Sequence, residues 1–301
     1  ANRKITKPSH RKTNVMKRTC LIVTILASTG VFCAGQDKDL AKEIAAIRLN
    51  AESVAKSQLR GTDTEMSSFK LGFFSPIFYS KLDRLSLGAA ARYEWTDLDF
   101  SDSTLFQENT LHSIDLPLFA YYEQTETLSW LMLFNTTAAG DFEKIDGDSF
   151  NYLAVLGARY KTSETFQWLL GAFYSTGFDD DLFLPAIGFA WEPSEQCQLL
   201  FAGPYARFKY SLSERLAWTI FSRPSGNRWN TRASYGERDL RIRRFLLGGS
   251  LDWKFKENNA IGVSAGWQVA GETEIKNAND TTILERDLES VPFLEVEYRY
   301  S

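Results

Sequence analysis

The sequence predicts an all-β protein, a transmembrane antiparallel β-barrel of about 12 strands, from three observations. Apolar and polar residues alternate along several segments, the polar connections between these segments alternate in length, and aromatic residues are abundant, with 22 Phe, 12 Tyr and 8 Trp. Successive side chains of a strand point to opposite faces, so a period of two gives one apolar face. Aromatic residues favour strands and membrane interfaces.

The last segment of the chain gives the clearest alternation. In VPFLEVEYRYS, from Val291 to Ser301, one face of a strand would carry Leu294, Val296, Tyr298 and Tyr300, and the other Glu295, Glu297 and Arg299. Similar alternation runs through residues 84–95, 150–160, 166–174 and 260–269. These segments have about the ten residues that a tilted strand needs to cross a bilayer. We expect their apolar faces to meet lipid and their polar faces to meet the lumen.

The N-terminal part of the chain is typical of a secretory signal peptide. Met16 and two basic residues precede the apolar run from Cys20 to Ala34, and small residues end that run. The run is shorter than the roughly 20 apolar residues of a spanning helix. We therefore expect residues 1–35 to be a signal peptide, with residues 1–15 as a miscalled extension upstream of Met16.

Charge and cysteine content limit the function classes. Residues 1–35 contain seven of the 34 Lys and Arg and none of the 38 Asp and Glu. The remaining chain therefore has a net charge of about −11, which argues against nucleic-acid binding. Of the three cysteines only Cys197 remains after cleavage, so no disulfide framework is expected.

Residues 36–65 are predicted to be a periplasmic N-terminal segment. From Asp39 to about Leu59 the sequence is rich in Ala, lacks Gly and Pro, and places a few apolar residues loosely on one side. We expect a short helix or a partly ordered tether here. The barrel is then expected to occupy residues 66–301.

The connections between the alternating segments support a barrel and give its strand count. Short polar turns are predicted at 81–84, 123–127, 161–165, 192–196, 212–215 and 256–259, and longer loops at 96–109, 138–149, 176–183, 222–239 and 271–289. Short turns at one rim and long loops at the other are typical of bacterial outer-membrane barrels. The count is about 12 strands within a range of 10–14, with 14 if Pro76 and Pro204 each divide a segment into two strands.

A secreted antiparallel sandwich is the alternative fold, because its strands also alternate. In a sandwich the apolar faces point inward, and nothing requires large aromatic residues at both ends of so many strands. Tyr93 with Trp95, Tyr121 with Tyr122, and Trp253 with Phe255 lie near predicted strand ends, where a barrel would place interfacial girdles. The barrel is therefore the preferred prediction.

Several segments resemble a known family. The signal sequence, FLPAIGFAWEP (183–193), the spacing in GPYARFKYSLSERL (203–216) and the tyrosine-rich last strand look like an uncharacterised family of bacterial outer-membrane β-barrel proteins, a domain of unknown function. The resemblance covers about residues 66–301 and implies fold and an outer-membrane location, without an activity. The last strand also resembles the signal read by the barrel-assembly machinery, although Ser301 follows the aromatic Tyr300.

Few residues offer catalytic or metal chemistry. Beyond the signal peptide the chain has one histidine, His112, and the adjacent Ser113 would point to the opposite face of a strand. Asp179, Asp180 and Asp181 form an acidic run that fits either a Ca²⁺ loop or a solvated loop tip, and the latter is preferred. We therefore expect no enzymatic activity, no metal and no cofactor. A barrel lipase or protease, which would need His112, is the least favoured class.

An arginine-rich stretch could contact phosphate. It runs from Arg223 to Arg244, and Arg228, Arg232, Arg241 and Arg243 are the candidates for contact with phosphates, such as those of lipopolysaccharide. A solvated loop balanced by Glu237 and Asp239 explains the same composition. Both interpretations remain open at this level.

Strand alternation also predicts the residues that line the lumen. They are Arg92, Glu94, Asp115, Arg159, Glu192, Asp252, Lys254, Glu295, Glu297 and Arg299. Such a mixed-sign interior can line a water-filled pore or pair internally and plug a narrow barrel. Inward Phe119, Phe173 and Phe221 would constrict a channel of this size.

The leading hypothesis is a passive pore for small solutes in the outer membrane of a Gram-negative-type bacterium. The alternative is a closed structural or surface-interaction barrel whose long loops bind lipopolysaccharide or other envelope components. The expected partners are outer-membrane lipid, lipopolysaccharide and the barrel-assembly machinery.

Overall fold

The computed structural model describes residues 45–102, 106, 109–143, 145–176, 182–233 and 236–301. Across these ranges 15 β-strands form one sheet that closes on itself, which confirms the predicted all-β barrel. The strands are β1 (Ile47–Gln58), β2 (Glu65–Leu82), β3 (Leu85–Phe100), β4 (Thr110–Glu123), β5 (Leu128–Gly140), β6 (Phe150–Lys161), β7 (Phe166–Ser175), β8 (Leu182–Ser194), β9 (Cys197–Ala202), β10 (Tyr205–Ser213), β11 (Leu216–Ala233), β12 (Gly236–Lys256), β13 (Asn259–Asn277), β14 (Thr282–Leu288) and β15 (Val291–Tyr300). A 3-10 turn, Gly147–Ser149, precedes β6.

The barrel closes through its last strands. Each strand from β1 to β13 pairs with the next in antiparallel register. Residues 259–268 of β13 pair with β15. β15 in turn pairs with β1, from Ile47 opposite Tyr300 to Val54 opposite Phe293. Residues 271–276 of β13 pair with β14, and β14 meets the end of β1 through the bridge between Leu59 and Leu288. β14 and β15 thus occupy one position in the wall, one after the other along β13. The wall therefore has 14 strand positions, slightly more than the predicted number of about 12.

The two ends of the barrel differ, as the alternating connections predict. At one end, called the turn end, short turns join the strands, and both Ile47 and Tyr300 lie there. At the other, called the loop end, the connections are more varied in length. The turns of the turn end lie at residues 83–84, 124–127, 162–165, 195–196, 214–215 and 257–258.

The first strand corrects the prediction of a helix or tether. Residues 47–58 lie within the wall as β1, between β15 and β2. Without β1, the edges of β2 and β15 would expose unpaired backbone groups, so closure outweighs the weak helical pattern of an Ala-rich segment. The barrel therefore begins before residue 66. The predicted signal peptide, residues 1–35, and residues 36–44 lie outside the described residues.

Two predicted loops and one predicted break are also corrected. β11 and β12 run through most of residues 222–239, and β13 and β14 run through most of residues 271–289. Polar side chains in these hairpins pair across strands, so a polar composition alone did not distinguish strand from loop. Pro76 does not divide its segment, because β2 passes it with a bulge before Phe78. Pro204, in contrast, lies in the turn between β9 and β10.

The outer face of the barrel carries an apolar surface. In β15, Leu294, Val296 and Tyr300 are exposed on this face, whereas Glu295, Glu297 and Arg299 point inward. Exposed large apolar side chains recur on strands around the wall, among them Phe73, Leu118, Met132, Leu156, Leu170, Ile187, Ile220, Leu251 and Val263. Such a face suits lipid better than water. Among the described residues, no helix is both long and apolar enough to cross a membrane.

Candidate functional site

A cluster of paired charges lies inside the barrel and is here called the charge network. It comprises Glu52 of β1, Lys70 of β2, Arg92 and Glu94 of β3, Arg223 of β11 and Glu295 of β15. The Lys70 ammonium lies 3.3 Å from carboxylate oxygens of both Glu52 and Glu94, and Arg92 pairs with Glu94 at 2.8 Å. These contacts link three neighbouring strands along the inner face.

Arg223 connects this part of the wall to β11. Glu52 and Glu295 lie directly opposite each other on β1 and β15, where two like charges would repel. The Arg223 guanidinium contacts both, at 3.4 Å from Glu52 and 2.5 Å from Glu295. Because β12 and β13 lie between β11 and β15 in the wall, Arg223 spans part of the lumen. Arg244 of β12 makes a similar connection by donating a hydrogen bond of 2.8 Å to Ser68 of β2.

The loop-end part of the hairpin formed by β11 and β12 folds over the lumen. It is here called the cap and comprises residues 223–233 and 236–246. Asn230 of the cap forms a parallel bridge with Gly140 of β5, on a distant part of the wall. The backbone N–H of Arg232 donates to Asp141 at 2.6 Å. These contacts attach the cap to the β5 side of the barrel.

Apolar packing fixes the underside of the cap. Trp229, Leu240 and Ile242 belong to a buried cluster with residues from β2, β3, β4, β5, β13 and β14. The other members are Leu59, Met66, Leu98, Phe100, Phe106, Leu111, Ala139, Ile275, Leu284 and Leu288. The axial route through the loop end is therefore obstructed by a packed apolar layer in this conformation.

The remaining part of the inner wall contains two buried apolar clusters. On β4 to β7, one buried cluster contains Phe119, Tyr121, Leu131, Leu133, Leu153, Val155 and Phe173, and on β7 to β10 a second contains Leu169, Ala190, Leu200 and Tyr205. Together these two clusters are called the apolar half of the lumen. Phe119 and Phe173 lie within it, and the buried Phe221 lies beside Phe293 in a separate cluster. The inner surface thus has a charged side and an apolar side.

The structure brings together several of the ten residues predicted to line the lumen. Arg92, Glu94 and Glu295 belong to the charge network. Asp115 accepts hydrogen bonds from the Asn135 amide and the Thr137 hydroxyl, and Arg159 donates to the Tyr121 hydroxyl. Arg299 contacts Glu297 at 2.8 Å and Asp252 at 3.4 Å near the turn end. Glu192 is half-buried, and Lys254 is exposed at the turn end.

Sequence reasoning missed several members of the charge network. Glu52 lay in the segment predicted to be a short helix or a partly ordered tether, Arg223 lay in a predicted loop, and Lys70 was not among the predicted lumen residues. Arg48, Asn50 and Glu52 alternate with the apolar Ile47, Leu49 and Ala51, and this alternation could have placed Glu52 on an inner face. Nothing in the sequence pairs Arg223 with a strand that is not its neighbour.

The four candidate phosphate-binding arginines are all paired with carboxylates. Arg228 contacts Asp239, and Arg232 contacts Asp146 at 2.5 Å and Glu237 at 3.2 Å. Arg241 pairs with Glu274 and Arg243 with Glu272, each at 2.9 Å. A phosphate would have to compete with these carboxylates. The arrangement agrees with the balanced-charge interpretation, although the arginines lie in strands and not in a loop.

His112 lies in an aromatic stack and not beside a nucleophile. Its ring Nδ1 is 2.7 Å from the Tyr93 hydroxyl, and its ring stacks with those of Tyr93 and Phe142. Ser113 is buried on the opposite face of β4. No group of three or more metal-ligating side chains occurs in the part of the chain that the structure describes. Asp179, Asp180 and Asp181 lie outside the described residues.

Comparison with known proteins gives a family and a set of similar folds. A family model described as a domain of unknown function, DUF6268, matches residues 54–299. An outer membrane channel from Pseudomonas putida F1 is 11% identical, with 85% of this chain and 93% of that chain covered and a TM-score of 0.44. A KdgM porin in complex with disordered oligogalacturonate is 10% identical, with coverages of 85% and 98% and a TM-score of 0.37.

A third similar structure is LpxR from Salmonella typhimurium. It is 7% identical to this chain, with 85% of this chain and 99% of that chain covered and a TM-score of 0.35. No curated protein matches the chain. The family match confirms the resemblance to an uncharacterised barrel family, and it begins within β1.

Proposed function

The chain belongs to DUF6268, a family of unknown function, and we propose that it is an outer-membrane channel through which small solutes pass passively. The charge network on the inner wall is the observation that carries this proposal. Ionisable groups that lose water on burial cost several kcal/mol each, and paired contacts only partly offset that cost. A hydrated lumen would lower this cost for Lys70, Arg92 and Arg223, whose side chains keep 18%, 16% and 21% exposure, and these cations in turn pair with the buried Glu52 and Glu94.

The outer face supports the membrane location. Only helices and closed barrels satisfy all backbone groups inside a bilayer, and this wall is closed around most of its height. In water, the exposed apolar side chains of the outer face would favour aggregation. The proposed surroundings are therefore outer-membrane lipid and lipopolysaccharide, with insertion by the barrel-assembly machinery.

The cap defines how passage would be controlled. In this conformation it obstructs the loop end, so solutes can pass axially only when the cap moves away from β5. The ion pair between Arg232 and Asp146 and one backbone bridge attach it there, together with the apolar layer on its underside. The proposal therefore describes a channel that opens transiently, with no chemical step of its own.

Solute flux into proteoliposomes tests the proposal. The full chain is reconstituted, its fold is checked by heat-modifiable gel mobility, and swelling is followed with uncharged sugars of increasing size. We expect swelling faster than that of empty vesicles for the smallest sugars and a decline with solute size. Rates equal to those of empty vesicles, for both the native chain and a variant with a displaced cap, would contradict passive passage.

A closed barrel that binds envelope components is the second candidate, and the packed layer under the cap favours it. This candidate predicts that shortening the cap between Arg223 and Asp239 abolishes binding to lipopolysaccharide vesicles while the barrel stays folded. Unchanged binding after that deletion would exclude it. Neither candidate includes catalysis, so His112→Ala is expected to change neither flux nor binding.

A further inference from the structure

Between β8 and β11 the wall of the barrel is lower at the loop end, because the intervening strands β9 and β10 are shorter than β8 and β11. β9 and β10 turn over at residues 203–204, and their pairing ends at Gly188 opposite Ala202 on one side and Ala206 opposite Ser222 on the other. Above these points, Leu182–Ile187 of β8 pairs only with β7 among the described strands. β11 continues as the cap, paired with β12 and bent towards β5.

The resulting opening is here called the portal. It is bounded by Leu182–Ile187, by the tip of the β9–β10 hairpin and by the start of the cap. Two absent strands correspond to a width of roughly 10 Å, and six residues of β8 to a height of about 20 Å along the strand. An aromatic ring and its substituents fit through an opening of this size.

Apolar side chains border the portal on both surfaces of the wall. On the inner side, Leu182 and Leu184 pack against the cluster of Phe119 and Phe173, and Leu200 and Tyr205 lie below them. On the outer side, Phe183 and Ile187 are 67% and 62% exposed. The described side chains that border the portal are therefore apolar on both surfaces of the wall. The nearest inward charges are held by other groups: Asp115 accepts from Asn135 and Thr137, Arg159 donates to Tyr121, and Arg223 of the cap contacts Glu52 and Glu295.

The free edge of β8 limits the depth of the portal in the membrane. Unpaired backbone groups are costly in hydrocarbon, so a strand edge of this length suits the membrane interface better than the bilayer centre. The portal lies at the loop end, where such an interface is expected. Solutes that concentrate at the interface would meet it directly.

We infer that the portal is a lateral passage for small, uncharged apolar solutes between the membrane interface and the apolar half of the lumen. This inference rests on the proposed passive passage and names its solute class. The side chains of the apolar half give such solutes an apolar surface, whereas ions and sugars would lose hydration against it, with polar partners only at its margins, where Asp115 and Arg159 lie. The cap obstructs the axial exit, so a sideways route is the one this conformation leaves.

Uptake of N-phenyl-1-naphthylamine, an uncharged apolar fluorophore, tests the inference. The full chain is produced in a Gram-negative host without its major porins, where the outer leaflet slows entry of the probe. The key variant inserts four alternating Thr and Val residues between Gly203 and Pro204, which raises the β9–β10 hairpin into the portal. A matched control inserts the same residues between Asn279 and Asp280, in another connection at the loop end.

A point substitution gives a second, less disruptive variant. Leu184→Asp places a charge on the inner rim of the portal, and we expect uptake to fall about tenfold, equivalent to about 1.4 kcal/mol. Ile145→Asp is its control, because Ile145 is exposed in the connection between β5 and β6. Gel mobility before and after heating shows whether each variant folds.

The portal predicts faster uptake with the native chain, a return to the host level after the insertion at 203–204, and no effect of either control. Native uptake at the host level would overturn the portal. So would accelerated uptake that persists in both the hairpin insertion and Leu184→Asp. Sugar swelling and ion conductance measured on the same proteins separate the two proposals. If these remain while probe uptake is absent, passive passage stands and the portal alone fails.

Discussion

Asn230 of β11 lies opposite Gly140 of β5 in a parallel bridge between two strands that are six positions apart in the barrel wall. The contact exists because the cap bends over the lumen. Gly140 has no side chain, and a Cβ atom at this position would overlap the carbonyl oxygen of Asn230. Close approach of two backbones is one of the few roles that only glycine can serve.

Replacing Gly140 is expected to displace the cap. In Gly140→Ala the new methyl group must push the backbone of Asn230 away, which also weakens the ion pair between Arg232 and Asp146. We expect faster trypsin cleavage after the cap arginines of the reconstituted protein. Gly147→Ala is the matched control, because a Cβ at Gly147 meets nothing within 4 Å. Equal cleavage of the native protein and Gly140→Ala would show that this bridge does not position the cap.

Loss of Arg223 is expected to destabilise the barrel. Arg223→Gln leaves Glu52 and Glu295 opposite each other without the guanidinium that bridges them. The cost is estimated at about 1–3 kcal/mol, less than for a fully buried pair because the Arg223 side chain keeps 21% exposure. Urea unfolding in vesicles measures the change. The double variant Arg223→Gln with Glu295→Gln should recover part of the loss, and the same stability in the single and double variants would refute the role of this contact.

A charge on the outer apolar face should impair folding into a bilayer. Leu156→Arg puts a guanidinium in the middle of β6, at a cost of about 2–4 kcal/mol if that position lies near the bilayer centre. Ile145→Arg is a matched control, because Ile145 is 53% exposed in a connection and Leu156 is 56% exposed on the wall. The folded fraction in lipid vesicles is read from gel mobility. Equal folding of the two variants would contradict the proposed lipid contact.

The charges near the turn end should set ion selectivity. Arg299→Gln removes the cation that contacts Glu297 and Asp252, so two carboxylates remain on the inner face. We expect the reversal potential in a salt gradient to shift towards cation selectivity. Arg215→Gln removes the same charge from an exposed turn residue at the same end and should shift it less. An equal shift in both variants would indicate that Arg299 does not line the conducting path.

Most of the wall could be predicted because strand alternation is local. In β15 the charges at Glu295, Glu297 and Arg299 fix the inner face through their spacing alone. The short turns could be predicted for the same reason, since turn residues interrupt the period. A pattern read within one segment therefore gave the phase of most strands and the positions of their polar side chains.

The remaining features depend on pairing between distant segments. β1 was predicted as a short helix or a partly ordered tether because its segment is rich in Ala and lacks Gly and Pro, and only closure between β15 and β2 requires a strand there. The contacts of Arg223 with Glu52 and Glu295 join strands that are not neighbours, so the alternation of residues within single strands does not predict them. The portal likewise arises from the relative heights of β8, β9, β10 and β11, which strand lengths alone do not fix.

Single-channel conductance of the full chain in a planar lipid bilayer tests passive passage most directly, with the native protein and Gly140→Ala measured in parallel. Discrete conductance steps are expected for the native protein, and longer or larger openings for the variant because its cap is displaced. Absence of steps from both proteins, after insertion and folding have been established by heat-modifiable mobility, would contradict the channel. That result would instead favour a closed barrel that binds envelope components.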